Sequence, residues 1–373
     1  MHGMIMRILF IEPYDGGSHR AFREALAARS RHEVRSLTLP ARFWKWRMRG
    51  AALWFADRIR DEELTADVVF CSDYLNVADL RGSLPAAFDT VPIVLYMHEN
   101  QLTYPLSPEE EFDFHFGFTN ILSCLAADSV VFNSEFHRRL FLDSLNNYLG
   151  RMPEAVPANI GLRIEARSSV LPVGIDREPD PTRPGPIALG KKTGPEGPLL
   201  LWNHRWEFDK RPDWFVQALL SLDGEGYPFR LYLLGEERQR HQVFAPLQDR
   251  LGERILGFGH LENREDYDRA LEASDAVISC AAQEYFGISV AEAIQAGCYA
   301  IMPCDQVYPS LYGDACTGQH LYDGPGGLTA MLRDLITGDL IHDCALPASC
   351  DAYCWSRLIS HYDSLLDDVE RRP

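Results

Sequence analysis

The stretch Glu284-Tyr-Phe-Gly-Ile-Ser-Val-Ala-Glu292 sets two glutamates around Gly287 and follows the apolar segment Asp275-Ala-Val-Ile-Ser279. Ser289 to Gln295 favours a helix, so Glu284 and Gly287 fall in a strand-to-helix turn and Glu292 on the first turns of the helix. The amides of Gly287, Ile288 and Ser289 then stand at the positive end of the helix dipole, where phosphate oxygens are held without cationic side chains. Glu292 is placed to accept both ribose hydroxyls of a nucleoside diphosphate, and Glu284 to face whatever hangs on its last phosphate. An ordinary turn with two solvated glutamates would give the same spacing, because the pattern fixes only two positions.

A second segment favours the nucleotide. In Leu199-Leu-Leu-Trp-Asn-His-Arg205-Trp-Glu-Phe-Asp-Lys210-Arg-Pro212 a continuous apolar run reads as a buried parallel strand. Arg205 and Lys210 follow its carboxyl end, where open α/β sheets bind ligands. A planar guanidinium and a compact ammonium together neutralise a diphosphate.

A chain of 373 residues, 46% of them apolar, has enough apolar surface for two cores. Apolar runs stay far short of a membrane span, and Ile8 to Ile11 is too short for a signal-peptide core, so the expected location is cytoplasmic with no membrane insertion. Nine cysteines (Cys71, Cys124, Cys280, Cys298, Cys304, Cys316, Cys344, Cys350 and Cys354) lack paired C-x-x-C spacing and read as reduced, mostly buried thiols. His342 with Cys344, Cys350 and Cys354 is too irregular for a zinc site.

The formal charge of −18 argues against indiscriminate nucleic-acid binding. Against that background Arg42-Phe-Trp-Lys-Trp-Arg-Met-Arg49 stands out as basic and aromatic. Interleaving of this kind grips phosphates and stacks on bases. Alone, the segment reads rather as the start of an amphipathic helix with core tryptophans and solvated cations.

Strand and helix patterns alternate twice over. Arg7 to Ile11, Asp67 to Cys71, Ile93 to Tyr96, Ser129 to Phe132 and Ser169 to Leu171 read as a first parallel sheet. Leu199 to Trp202, Arg230 to Leu234, Ile255 to Phe258, Asp275 to Ser279 and Tyr299 to Met302 read as a second. Residues 179–198 are rich in proline, glycine and lysine. The expected fold class is α/β with two doubly wound, Rossmann-like parallel-sheet domains. Their expected bounds are 1–180 and 199–354, joined by a linker at 181–198 and followed by an amphipathic helix at 355–373.

Two such domains facing across a cleft make the GT-B architecture. Glu284 with Glu292 and Arg205 with Lys210 resemble the donor-site signature of its large retaining family, which includes glycogen synthases and phosphatidylinositol mannosyltransferases. The resemblance implies a nucleotide sugar on the C-terminal domain, an acceptor on the N-terminal one, and a final helix that crosses back. The first half narrows the match. Gly16-Gly-Ser-His19, Leu39-Pro-Ala-Arg-Phe-Trp-Lys-Trp-Arg-Met-Arg49, His98-Glu-Asn-Gln-Leu-Thr-Tyr-Pro105, Asn120-Ile-Leu-Ser-Cys-Leu-Ala-Ala-Asp128, Trp206-Glu207 with Asp209-Lys210, and Val307-Tyr-Pro309 resemble the tRNA-queuosine mannosyltransferase family. Residues 163–192 do not align with it, and the last sixty or so add little.

From the resemblance, His98 contacts the donor sugar while its neighbouring backbone supports the developing oxocarbenium. The donor is GDP-mannose, the acceptor is queuosine in tRNA, transfer retains configuration, and no metal or other cofactor takes part. Arg205, Lys210 and Glu284 join His98 as catalytic candidates. Gly16 and Gly17, with φ values closed to other residues, let the backbone approach the donor from the opposite wall; Gly287, Ile288, Ser289 and Glu292 complete the donor set. Arg42, Trp44, Lys45, Trp46, Arg47 and Arg49 form the local patch for tRNA. His204 reads as a prop for Arg205. Glu111, Asp113 and His115 imitate a metal site, but Phe112 to Phe118 reads better as a buried helix. Glu236, Glu262 and Asp266 each offer an acceptor for a guanine edge, and spacing does not choose among them. Two other readings compete: the same machinery on a lipid-linked or soluble glycan, and a non-catalytic nucleotide-sugar or RNA-binding protein. The retained glutamates and cations count against the last.

Overall fold

A computed structural model describes residues 4–107, 110–178, 195–236, 241–316, 320–340 and 346–370. Most of the proline-rich segment at 179–198, together with His342 and Cys344, lies outside the described residues. Two compact units divide the chain: Met1–Gly174 with Trp355–Pro373, and Ile175–Cys354.

The first unit holds β1 (Arg7–Asp15), β2 (Glu33–Pro40), β3 (Val68–Ser72), β4 (Ile93–Met97), β5 (Ser129–Phe132) and β6 (Ser168–Val170) in the order β2-β1-β3-β4-β5-β6, all pairs parallel. The second holds β7 (Leu199–Trp202), β8 (Arg230–Leu234), β9 (Ile255–Gly259), β10 (Ala276–Ile278), β11 (Tyr299–Pro303) and β12 (Leu321–Tyr322) in the order β12-β11-β10-β7-β8-β9, again parallel. Helices on both faces explain why central strands are unbroken apolar runs: Ile93-Val-Leu-Tyr-Met97 is buried at every residue. In both sheets the winding reverses once, at β1/β3 and at β7/β10. Loops leaving those two strand pairs diverge, and ligands of doubly wound sheets sit in that crevice.

Two strands escape the pattern of apolar runs. β2 is an edge strand whose Glu33, Arg35 and Thr38 are at least partly exposed, so its composition is polar. β12 is only two residues long. The helix anticipated over Phe112 to Phe118 begins instead at Phe114, N-capped by Asp113, which accepts from the His115 amide; Phe112 is exposed.

The helix Trp355–Glu370 belongs to the first unit. Trp355 is buried beside Gly174, where an added Cβ would lie 2.3 Å from the indole, and packs on Phe22 and Tyr362. The Tyr362 hydroxyl donates to Pro172 O at 2.8 Å, and Asp363 accepts from Ser30 Oγ at 2.6 Å. Trp355→Ala is therefore expected to destabilise the first unit by about 3–5 kcal/mol through the cavity it leaves. Trp46→Ala, at a position 65% exposed, should cost no more than about 0.5 kcal/mol. Calorimetry of the full chain compares the two; equal effects would contradict the packing described.

Candidate functional site

In the second unit the residues singled out from the sequence converge at β7/β10. Gly287 adopts φ +81° as the N-cap of the helix Ile288–Ala296, and a Cβ there would stand 3.2 Å from the Tyr308 ring, so glycine meets both a conformational and a spatial demand. Glu284 folds back onto its own loop, its Oε1 accepting from the amides of Gly287 at 3.0 Å and Tyr285 at 3.2 Å. This corrects the expectation for Gly287: its amide is already paired inside the turn. The amides of Ile288 and Ser289, first in the helix, have no intrahelical acceptor and are the ones directed out of its end.

Lys210 is buried rather than presented to solvent. Its Nζ lies 2.8 Å from Gln283 O, 3.2 Å from Glu284 Oε2 and 3.2 Å from Asp209 Oδ2, which occupies all three donors of the ammonium. Burial opposes its charge, but Glu284 and Asp209 outweigh burial and raise its pKa. For Glu284, burial likewise opposes ionisation, while Lys210, 3.2 Å away, holds the carboxyl below its usual range. Arg205 is the more accessible cation, its side chain 39% exposed and paired with Glu207 at 3.4 Å.

His204 ties the two loops together. Its Nε2 donates to Ile278 O at 3.2 Å, which leaves Nδ1 to accept from Ser289 Oγ at 3.1 Å. Burial first, then Lys210, hold this imidazole down to about 4, so it is neutral at physiological pH. Glu292 also has partners: Arg264 Nη1 at 2.8 Å on one oxygen and the Tyr267 hydroxyl at 3.4 Å on the other. Asn203 donates to Tyr267 and to Ser289 O, both at 3.0 Å, and its buried Oδ1 has no partner. Asn203, Arg264 and Tyr267 were not legible as site residues. Of the carboxylates offered for a guanine edge, Glu262 and Asp266 are exposed, Asp266 pairing with Arg269 at 2.7 Å, and the backbone carbonyl of Glu236 accepts from Trp206 N.

In the first unit a second polar cluster forms where β1, β3 and β4 end. Gly17 has φ +51°, in the left-handed region. Gly16 differs from expectation: its φ of −168° is ordinary extended backbone, and glycine is required because a Cβ would meet the Ala41 Cβ at 2.4 Å. Glu12, fully buried within β1, accepts from Ser72 Oγ at 2.9 Å and Tyr14 N at 2.8 Å, and lies 3.2 Å from His19 Nδ1. A carboxylate in a buried strand is itself a signal of a polar site. Burial opposes a charge on His19, but Glu12 and then Asp73 and Glu99 raise its pKa to about 9. The His98 ring lies 4.1 Å from that of His19. Burial, then His19 and His137, push His98 well below its ordinary range, and its Nε2 is buried without a partner. Glu12, His19 and His98 place one potential metal ligand each within 4.8 Å of one another, the one such set among the described residues.

After the helix α1 (Gly17–Arg29), the segment Arg42 to Arg49 opens the helix α2 (Trp44–Asp61), with Phe43 in left-handed conformation as its N-cap. Its two tryptophans divide, against the expectation that both are core. Trp44 packs on Tyr74 and Phe116, whereas Trp46 is 65% exposed and Phe43 71% exposed. Lys45 and Arg49 pair with Glu110 at 3.0 Å and Asp113 at 2.8 Å, and Arg47 donates to Pro40 O, leaving the segment less basic than its composition. Glu111 and His115 are exposed.

Lys210→Met removes the cation from between Asp209 and Glu284 and should destabilise the second unit by about 3–5 kcal/mol. Arg205→Ala, largely solvated, should cost less than about 1 kcal/mol. Urea denaturation distinguishes them, and the reverse ranking would contradict the arrangement. In carbon-labelled histidine NMR spectra, His19 is expected to titrate near 9, with His204 near 4 and His137 near 3. Because the folded pKa of His19 is raised, its contribution to stability is fully present below about 6.5 and lost as pH rises through about 9. A His19 resonance titrating below 6.5 would overturn the Glu12 pairing.

Residues 7–175 match the family model described as tRNA-queuosine alpha-mannosyltransferase N-terminal, and residues 190–339 match that of glycosyl transferases group 1. The chain is 38% identical over 330 residues to the tRNA-queuosine alpha-mannosyltransferase of Drosophila melanogaster, covering 87% of this chain and 85% of that one. Among solved structures it resembles the N-terminal domain of Candida albicans trehalose-6-phosphate phosphatase (TM-score 0.67, 12% identity, 99% and 98% of the two chains). It also resembles an Anabaena protein in complex with UDP and glucose (TM-score 0.63, 16% identity, 97% and 100%). These likenesses show the two-domain α/β fold of GT-B glycosyltransferases. With its N-terminal half matched from β1 to the unit boundary and 87% of its length similar to a curated relative, the chain belongs to the tRNA-queuosine alpha-mannosyltransferase family.

Proposed function

We propose that this chain transfers mannose from GDP-mannose to the queuosine of a tRNA, with retention at the anomeric carbon. The observation that carries the reading is the convergence at β7/β10, in a chain of this family. Arg205 and Lys210 follow one strand, and Glu284 with the amides of Ile288 and Ser289 follows the other. The diphosphate is held by the helix end and Arg205. Lys210 reaches it through the position it gives Glu284 or by exchanging one of its three oxygen partners. As the bond to the anomeric carbon breaks, charge builds on the leaving phosphate, where preorganised donors stabilise the transition state more than the ground state. The leaving phosphate takes the acceptor proton on the same face. Glu292, held by Arg264 and Tyr267, keeps lone pairs for the ribose hydroxyls. The charge stabilisation comes from side chains and amides, so the reading calls for no metal. Among the described residues no helix is long and apolar enough to cross a membrane.

The tRNA approaches through the start of α2, where exposed Phe43 and Trp46 sit beside Arg42. A strongly acidic chain with so few available cations contacts few phosphates, so binding should depend only weakly on salt. Trp46→Ala, removing one stacking surface, should raise the acceptor KM about tenfold, with donor KM unchanged. Arg42→Glu should flatten the salt dependence by about one phosphate contact.

The deciding assay offers labelled GDP-mannose with tRNA that contains or lacks queuosine. Labelling only of the queuosine-containing tRNA is expected. Equal labelling of both, or transfer only to a lipid or glycan, would overturn the reading.

A further inference from the structure

We propose, resting on the tRNA-queuosine reading above, that the polar cluster at the ends of β1, β3 and β4 receives the side chain of the modified base, with Glu99 pairing its ammonium group. Queuosine joins its deazaguanine to a cyclopentene through a secondary amine, protonated at neutral pH, and the cyclopentene bears two adjacent hydroxyls. A receptor for that group needs an unspent carboxylate, a polar atom for a hydroxyl, and flat apolar walls.

Three carboxylates, those of Glu12, Asp73 and Glu99, favour the charge of His19, Glu12 from 3.2 Å. Glu12 is spent on His19, Ser72 Oγ and Tyr14 N. Asp73 accepts the His98 amide at 2.9 Å through Oδ1. Glu99 is different. Its Oε1 accepts from the Tyr74 hydroxyl at 2.5 Å and Gln101 Nε2 at 2.9 Å, while its Oε2 receives no hydrogen bond among the described residues. The carboxylate is thus fixed by one oxygen with the other left over, and the residue before it, His98, carries a buried Nε2 without a partner. A buried nitrogen of that kind costs free energy unless a ligand supplies what is missing. One ring hydroxyl meets it.

The walls are aromatic and run outward. His19 lies 5.4 Å from Tyr74, Tyr74 lies 4.9 Å from Tyr14, and Trp44 lies 6.0 Å from Tyr74. Trp44 begins α2 and neighbours the exposed cations and Trp46. One continuous path therefore leads, within the first unit, from the surface assigned to RNA to the polar cluster. Ring faces along it attract a cation as well as stacking a base.

The test uses the full chain, labelled GDP-mannose and three tRNAs: one with queuosine, one with unmodified guanosine, and one with 7-aminomethyl-7-deazaguanine, which has the amine but no cyclopentene. Wild-type transfer to the queuosine tRNA alone supports the reading on which this rests; absence of that transfer defeats the reading itself. Given that transfer, Glu99→Gln is expected to raise the KM for queuosine tRNA about ten- to a hundredfold, the range for loss of a charge-assisted hydrogen bond. The KM for GDP-mannose and the affinity for guanosine tRNA should stay unchanged. Tyr74→Phe, which only removes the hydroxyl orienting Glu99, should raise the same KM about three- to tenfold. The aminomethyl tRNA should inhibit the wild type more strongly than guanosine tRNA does, and that excess should vanish in Glu99→Gln; its wild-type arm needs no variant to fold. The proposal is overturned by an unchanged acceptor KM in both variants, by an equal loss for guanosine tRNA, by a shift confined to the GDP-mannose KM, or by equal inhibition from the two competitors. An acceptor KM that rises on chelation and recovers with zinc would likewise overturn it, assigning Glu12, His19 and His98 to a cation.

Discussion

Parallel strands oblige the chain to cross over after each one, and a doubly wound sheet changes its winding direction at a single pair of neighbours. In this molecule those pairs are β1/β3 and β7/β10. The two clusters of buried polar groups gather at those pairs. Glu12, Gly16, His19 and Asp73 cluster at the first reversal, and Arg205, Lys210 and Glu284 at the second. The sheets do not merely support two sites; their topology determines where loops part widely enough for a substrate to enter.

At each reversal, the polar groups are held by one another before any ligand arrives. Lys210 is surrounded by oxygens, and Glu284 divides its carboxylate between that ammonium and its own loop amides. His204 is kept neutral and, with one nitrogen bound to Ile278 O and the other to Ser289, clamps the end of β7 to the start of the helix. In the first unit Glu12 keeps a charge on His19, and that charge helps keep His98 neutral. Two imidazoles 4.1 Å apart thus carry opposite protonation preferences. Such division of neighbouring titratable groups gives a site donor and acceptor functions side by side at one pH.

Central strands were legible because burial on both faces demands unbroken apolar runs, as in Ile93 to Met97. The edge strand β2 was not, since one side of it faces water and its residues alternate in character. Glu284, Gly287 and Glu292 could be read from a single turn because they lie close in sequence. Arg264 and Tyr267 reach Glu292 from 28 and 25 residues away, a distance over which local pattern carries no information. The tryptophans of the basic segment were misjudged for a related reason. Helical periodicity tells which residues share a face, but not whether that face meets Tyr74 or open water.

The close approach of Gly16 to Ala41 joins the turn after β1 to the residue before Arg42. A hydrogen atom on Gly16 and a single methyl on Ala41 fill the gap, so any gain in volume at either position must push the loop that launches α2. Side-chain size at positions 16 and 41 is then one shared variable: growth at one site is tolerated only with shrinkage at the other, or with a reoriented α2.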